Sequence, residues 1–178
     1  MENIIVALTN YPALKAIDTA FGNNDPLTAL LIGFAGSASF ISHLVENHKH
    51  NMPGFFPNCS HKTSYLLNRV DVLGVVVLGI RVTSLYYHHY GISPIFFTRY
   101  PVFTGCLLLS CGLNLISERW DYVASRKKLF ILTHSLWHLS IFSLLNIFLI
   151  KIGTPWIKID PKLLLMNFNF YKNKQNLL

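Results

Sequence analysis

The sequence predicts an all-α fold: a polytopic membrane helix bundle with about four transmembrane helices and an N-terminal interfacial helix. Three observations predict it. Of 178 residues, 52% are hydrophobic and only 13% are charged, a balance too apolar for a soluble domain of this length. Apolar runs long enough to cross a hydrocarbon core of about 30 Å recur along the chain. Lys and Arg gather mostly between those runs. The formal charge of +7 therefore reads as topology and contact with anionic headgroups. No basic stripe interleaved with aromatics is present, so the expected partners are the lipid bilayer and a membrane lipid, not nucleic acid. The three cysteines cannot all pair with one another, and Cys106 and Cys111 fall inside an apolar run, so all three read as thiols.

Residues 1–26 form a segment with Pro12, Lys15 and Asp18 but no unbroken apolar span. It has no basic leader running into a clean apolar core and cleavage site, so a short helix lying in the membrane interface is expected rather than a signal peptide. The helix bundle follows, over residues 27–150. Its first span is Leu27–Glu46, which at 1.5 Å per residue reaches about 30 Å. The second runs from about Tyr65 to Tyr87, the third from about Pro94 to Ser117 and the fourth from about Leu129 to Ile150. Polar or Gly/Pro punctuation separates each from the next. Residues 151–178 form a basic, Asn/Lys-rich tail.

Four spans impose a parity. Ser39 and His43 lie near the exit of the first span, Asp71 lies early in the second, and His134 and His138 open the fourth. All five thus fall at one depth, a turn or two below one membrane face. Residues four apart share a helix face, so Ser39 stacks on His43, and His134 on His138. An imidazole in lipid needs a partner, a polar cavity or a metal, and a carboxylate in a span is a functional residue by default. Three neutral imidazoles with an open fourth position make a catalytic zinc site, at which bound water has a pKa near ~7. His43, His134 and His138 would supply the imidazoles. Asp71 would take or orient a proton of the water, and the Ser39 hydroxyl would donate to the water or to a developing oxyanion.

Competing structural roles attach to each residue. An HxxxH pair in an apolar helix also serves packing, interhelical hydrogen bonding or haem ligation. Ser39 sits among Gly33, Gly36, Ser37 and Ala38, a stretch suited to close helix contact, and Arg69 and Arg81 could pair with Asp71. Glu46 and His50 continue the Ser39–His43 face as outer supports of the site or as solvated residues. His48, His61, His88 and His89 read as interfacial.

Ser-x-x-x-His in "SFISH", an Asp opening the next span in "LNRVDVLGV", and His-x-x-x-His in "HSLWH" together resemble the signature of the CREST superfamily of membrane hydrolases. That superfamily includes alkaline ceramidases, the progestin and adiponectin receptors, and anchor-processing relatives. The likeness spans roughly residues 37–140, with the three motifs in the expected order. It implies zinc held by His43, His134 and His138, with Ser39 and Asp71 around the water. The implied reaction is hydrolysis of an amide or ester bond in a lipid. Superfamily members have seven spanning helices against the four expected here. Loss of an even number between the Asp helix and the HxxxH helix keeps the parity and the site on one side.

Two other function classes compete. A non-catalytic multi-pass membrane protein would use the histidines for interhelical hydrogen bonds alone. A membrane di-iron hydroxylase or desaturase is suggested by the eight histidines and by the His43–His48 spacing. Yet "LYYHHY" has Leu85 where a His-x-x-His-His box needs its first histidine, and His88 and His89 fall at the opposite face by parity. Orientation signals conflict. Lys49, Lys62, Arg69, Arg119, Arg126, Lys127 and Lys128 favour a cytosolic site side, whereas Lys151, Lys158, Lys162, Lys172 and Lys174 and the sequon at Asn58 oppose it.

Overall fold

A computed structural model describes residues 2–46, 54–56, 58–119 and 126–153, among which the regular structure is entirely helical. The elements are α1 (Glu2–Leu8), α2 (Pro12–Gly22), α3 (Pro26–Val45), α4 (His61–Tyr90), α5 (Ile95–Arg99), α6 (Pro101–Arg119) and α7 (Lys127–Gly153). Three of them, α3, α4 and α7, are long and apolar enough to cross a membrane, and α6 contributes a shorter apolar stretch, Pro101–Ser117. His48, His50 and the tail lysines beyond Lys151 lie outside the described residues.

Local chemistry sets the helix ends. The Asp25 side chain caps α3 by accepting from the Thr28 amide at 3.0 Å, and Pro26 follows at the first helical position, where its missing N–H costs nothing. Ser60 caps α4 in the same way through Thr63. At its far end α4 stops at Gly91, whose φ of +61° suits glycine and closes the last turn onto the Tyr87 carbonyl at 2.9 Å.

Two expectations change in form. The run from Pro94 to Ser117 is not one helix: it breaks at Tyr100, with φ −121° and ψ 67°, and α6 starts at Pro101. The proline ring excludes the preceding residue from helical geometry, and the break follows. The N-terminal segment is two helices rather than one. It folds onto the bundle, with α1 packed on α3 and α7, and α2 lying between α3 and α7.

Small residues let the helices approach closely. Ala13, Ala16 and Ala20 of α2 are buried with Ala29, Ile32 and Ala35 of α3. A Cβ on Gly74 of α4 would stand 3.0 Å from the Ala35 Cα, so this glycine permits the α3–α4 contact one turn from Asp71. Partly buried hydroxyl and amide pairs join the other helices: Thr19 donates to Asn146 at 2.6 Å, Asn23 to the Leu149 carbonyl at 2.8 Å, and Ser140 to Ser110 at 2.8 Å. Outward faces carry Leu73, Val76, Ile80, Leu108, Leu109 and Leu115 exposed, an apolar surface matched to lipid.

Candidate metal centre

His43, His134 and His138 converge. Each offers a ring nitrogen, and the three nitrogens lie within 4.8 Å of one another. The His43 and His134 Nε2 atoms are 3.2 Å apart, and the ring centroids are separated by 4.6–4.9 Å. All three side chains are buried, with 1–3% of their surface exposed. The i, i+4 spacing in α7 aims His134 and His138 the same way, and the α3–α7 arrangement delivers His43 from the opposite wall.

Ser39 and Asp71 border the cluster on its inner side. Ser39 Oγ lies 3.5 Å from His138 Nε2, and Asp71 Oδ2 lies 3.9 Å from His43 Nε2. The second gap is too wide for a direct hydrogen bond. Asp71, like Ser39, is buried.

The outer ring nitrogens are held by other residues. His43 Nδ1 is 3.0 Å from Glu46 Oε2, with both side chains 1% exposed, which makes Glu46 a buried support of the site rather than a solvated residue. His134 Nδ1 is 3.0 Å from Ser117 Oγ at the end of α6, and His138 Nδ1 is 3.3 Å from Thr9 Oγ1 after α1. Asn3 donates through Nδ2 to the His43 and Glu46 carbonyls at 3.0 and 2.6 Å, satisfying the open C-terminal end of α3. Glu2 pairs with Lys127 at the start of α7.

Sequence reasoning missed Thr9, Ser117 and Asn3. Ser117 falls one span-length before His134 and at the same depth, a signal parity could have found. Thr9 and Asn3 lie outside every span, where parity has no purchase.

Ser39 and His138 also line a groove of about 510 Å³. Its walls are otherwise almost wholly apolar, including Leu78, Phe103, Trp137, Ile141 and Phe148. Trp137 is more than a spacer between the two histidines of α7: its ring lies 4.8 Å from that of His138 and 5.3 Å from that of His134. His88 and His89 end α4, about 25 Å along the helix from Asp71, and take no part in the cluster. His61 is exposed at the start of α4. Of the described residues, the His43–His134–His138 group is the one set of three or more suitable side chains placed to hold a metal ion.

Over 154 residues the chain is 41% identical to the uncharacterized protein L282 of Acanthamoeba polyphaga mimivirus, a match covering 84% of this chain and 97% of that protein. No family model and no solved structure matches.

Proposed function

We propose that this chain, which belongs to the same family as the mimivirus protein, is a multi-pass membrane hydrolase that uses zinc to cleave an amide or ester bond of a lipid, as a shortened relative of the CREST superfamily. The observation that carries this reading is a buried three-histidine cluster, with Ser39 and Asp71 beside it, that meets an apolar groove at Ser39 and His138.

The donor set fits zinc. Two ligands each about 2.0–2.1 Å from a tetrahedral ion lie about 3.3 Å apart, close to the 3.2 Å between the His43 and His134 nitrogens. Three neutral imidazoles would hold the ion with a fourth position left for water, and the charge of a divalent ion suits a pocket built with Glu46 and Asp71. When bound there, zinc would supply Lewis acidity and lower the pKa of water. The chain's own groups have separate tasks. Asp71 accepts the proton of an attacking water at a carboxylate oxygen and returns it to the leaving nitrogen or oxygen. Ser39 donates a hydrogen bond to the oxygen that gains negative charge. The groove takes an acyl chain, keeps bulk water away and places the scissile bond beside Ser39.

Four crossings are part of the proposal. If α3, α4 and α7 span, the chain must return between the end of α4 and the start of α7, and α6 is the element available. Its apolar stretch of 17 residues covers about 25 Å, and its last turn brings Ser117 to His134 at the site side. Endomembrane residence fits a lipid-cleaving enzyme of this kind.

The test is a hydrolysis screen on purified protein in detergent, using acyl-amide and acyl-ester lipids, with Asp71→Asn as control. Release of free fatty acid that Asp71→Asn lacks is expected. Metal-loaded protein inert on every lipid would contradict the enzyme reading and leave a non-catalytic membrane protein of this fold.

A further inference from the structure

We infer that Thr9, carried by the N-terminal arm outside the spanning helices, is a positioning residue that fixes the tautomer of His138 and so completes the metal centre. The inference rests on the metal-centre reading and assigns to it a part that the three motifs do not contain.

The direction of each hydrogen bond decides the matter. The Thr9 hydroxyl donates its one proton to the Val6 carbonyl at 2.5 Å, within its own turn. Its oxygen is then an acceptor toward His138 Nδ1, at 3.3 Å. Nδ1 therefore carries the proton, and Nε2 presents a lone pair toward Ser39 and the other two rings. Ser117 repeats the device on α6: its hydroxyl donates to the Asn114 carbonyl at 2.8 Å, so its oxygen accepts from His134 Nδ1. With the Glu46 carboxylate accepting at His43 Nδ1, three separate elements turn three lone pairs inward.

The arm is fastened where this role requires it. Asn3 ties α1 to the end of α3, Glu2 ties it to Lys127 at the start of α7, and Val6 and Ala7 are buried between. Thr9 is thereby held over His138 by contacts to both helices that supply ligands. A partner that fixes the outer nitrogen of a ligating histidine changes metal affinity by about 10–100-fold.

The experiment measures zinc affinity of the full-length protein by competition with a chromophoric chelator, together with the visible spectrum of the cobalt-substituted form. Thr9→Val, which keeps shape and loses the acceptor, should weaken zinc binding about 10–100-fold and alter the cobalt bands, and Thr9→Ser should restore both. Thr9→Val protein that binds as tightly as wild type would overturn the assignment while leaving the centre itself intact. Wild type that binds neither zinc nor cobalt would instead remove the centre, and the assignment with it. Should Thr9→Val fail to fold, nitrogen chemical shifts of His138 in metal-free wild type decide: a proton on Nδ1 is expected, and a proton on Nε2 would overturn the inference.

Discussion

His43 and His134, 91 positions apart in the chain, bring their Nε2 atoms to 3.2 Å in a site that excludes solvent. Two imidazole nitrogens hold that separation around a shared proton or a shared cation, since two facing lone pairs repel. The partners at their outer nitrogens favour the cation. His134→Gln should therefore strip the metal from a protein that still inserts and folds, because an amide substitutes for a hydrogen-bonding ring but not for a zinc ligand. Metal analysis alongside a thermal melt separates the two effects. Stoichiometric metal in His134→Gln would return the pair to interhelical hydrogen bonding. The same result is expected for His138→Gln.

Asp71 Oδ2 stands 3.9 Å from His43 Nε2, at the edge of the cluster. Asp71→Asn should keep the metal and lose hydrolysis by about 10²–10⁴-fold, the range typical of a missing general base. Loss of metal in this variant would make Asp71 a ligand or a folding element.

Gly74 sets how near Asp71 comes. A methyl group there would meet the Ala35 backbone at 3.0 Å, so Gly74→Ala should push α4 outward. Turnover should fall while metal content stays at the wild-type level, because α4 contributes no ligand. Unchanged turnover would show that the position of Asp71 is not critical to the rate.

Trp137 lines the groove beside both α7 histidines. Trp137→Phe keeps an aromatic wall and should disturb packing only, whereas Trp137→Ala opens the groove and should raise KM for a long-chain substrate several-fold at constant metal content. A loss of metal in Trp137→Ala would move the residue from substrate wall to ligand support.

On the far side of the bundle, Asp25 caps α3 and pairs with Arg81 at 2.8 Å. Burial alone pushes its carboxyl up, but the Thr28 hydroxyl and amide together with the Arg81 guanidinium outweigh this and hold it below the ordinary 3.8. A depressed folded-state pKa means the stabilisation is complete above the unfolded value and is lost as pH falls through the lower, folded one. Asp25→Ala should thus lower stability by about 1 kcal/mol or more at neutral pH, from the lost cap together with the lost ion pair. The melting difference from wild type should shrink as the pH falls through the lowered folded-state pKa, where the wild-type carboxyl becomes protonated as well. A difference that persisted undiminished in acid would assign the effect to packing.

The cluster was legible because two periodicities agreed. Span parity put Ser39, His43, Asp71, His134 and His138 at one depth, and i, i+4 spacing put Ser39 with His43, and His134 with His138, on shared helix faces. Glu46 was visible on the same face, but sequence alone does not say whether a carboxylate at the end of a span is wet or sealed. Here the Asn3 contacts and the folded-back arm seal it. Thr9 was hidden because a segment with Pro12, Lys15 and Asp18 reads as a surface helix, and its role depends on a contact 129 residues away. The break at Tyr100 was passed over for the opposite reason: apolar residues on both sides of Arg99–Pro101 read as one run, while the backbone before Pro101 cannot continue the helix.

Metal content of the protein purified without added metal or chelator tests the central claim most directly. One zinc per chain, removable by a strong chelator and absent from His138→Gln, is the predicted result. Iron in its place would point to redox chemistry, and wild-type protein that holds no metal and takes up none would contradict the metal centre and the hydrolase built upon it.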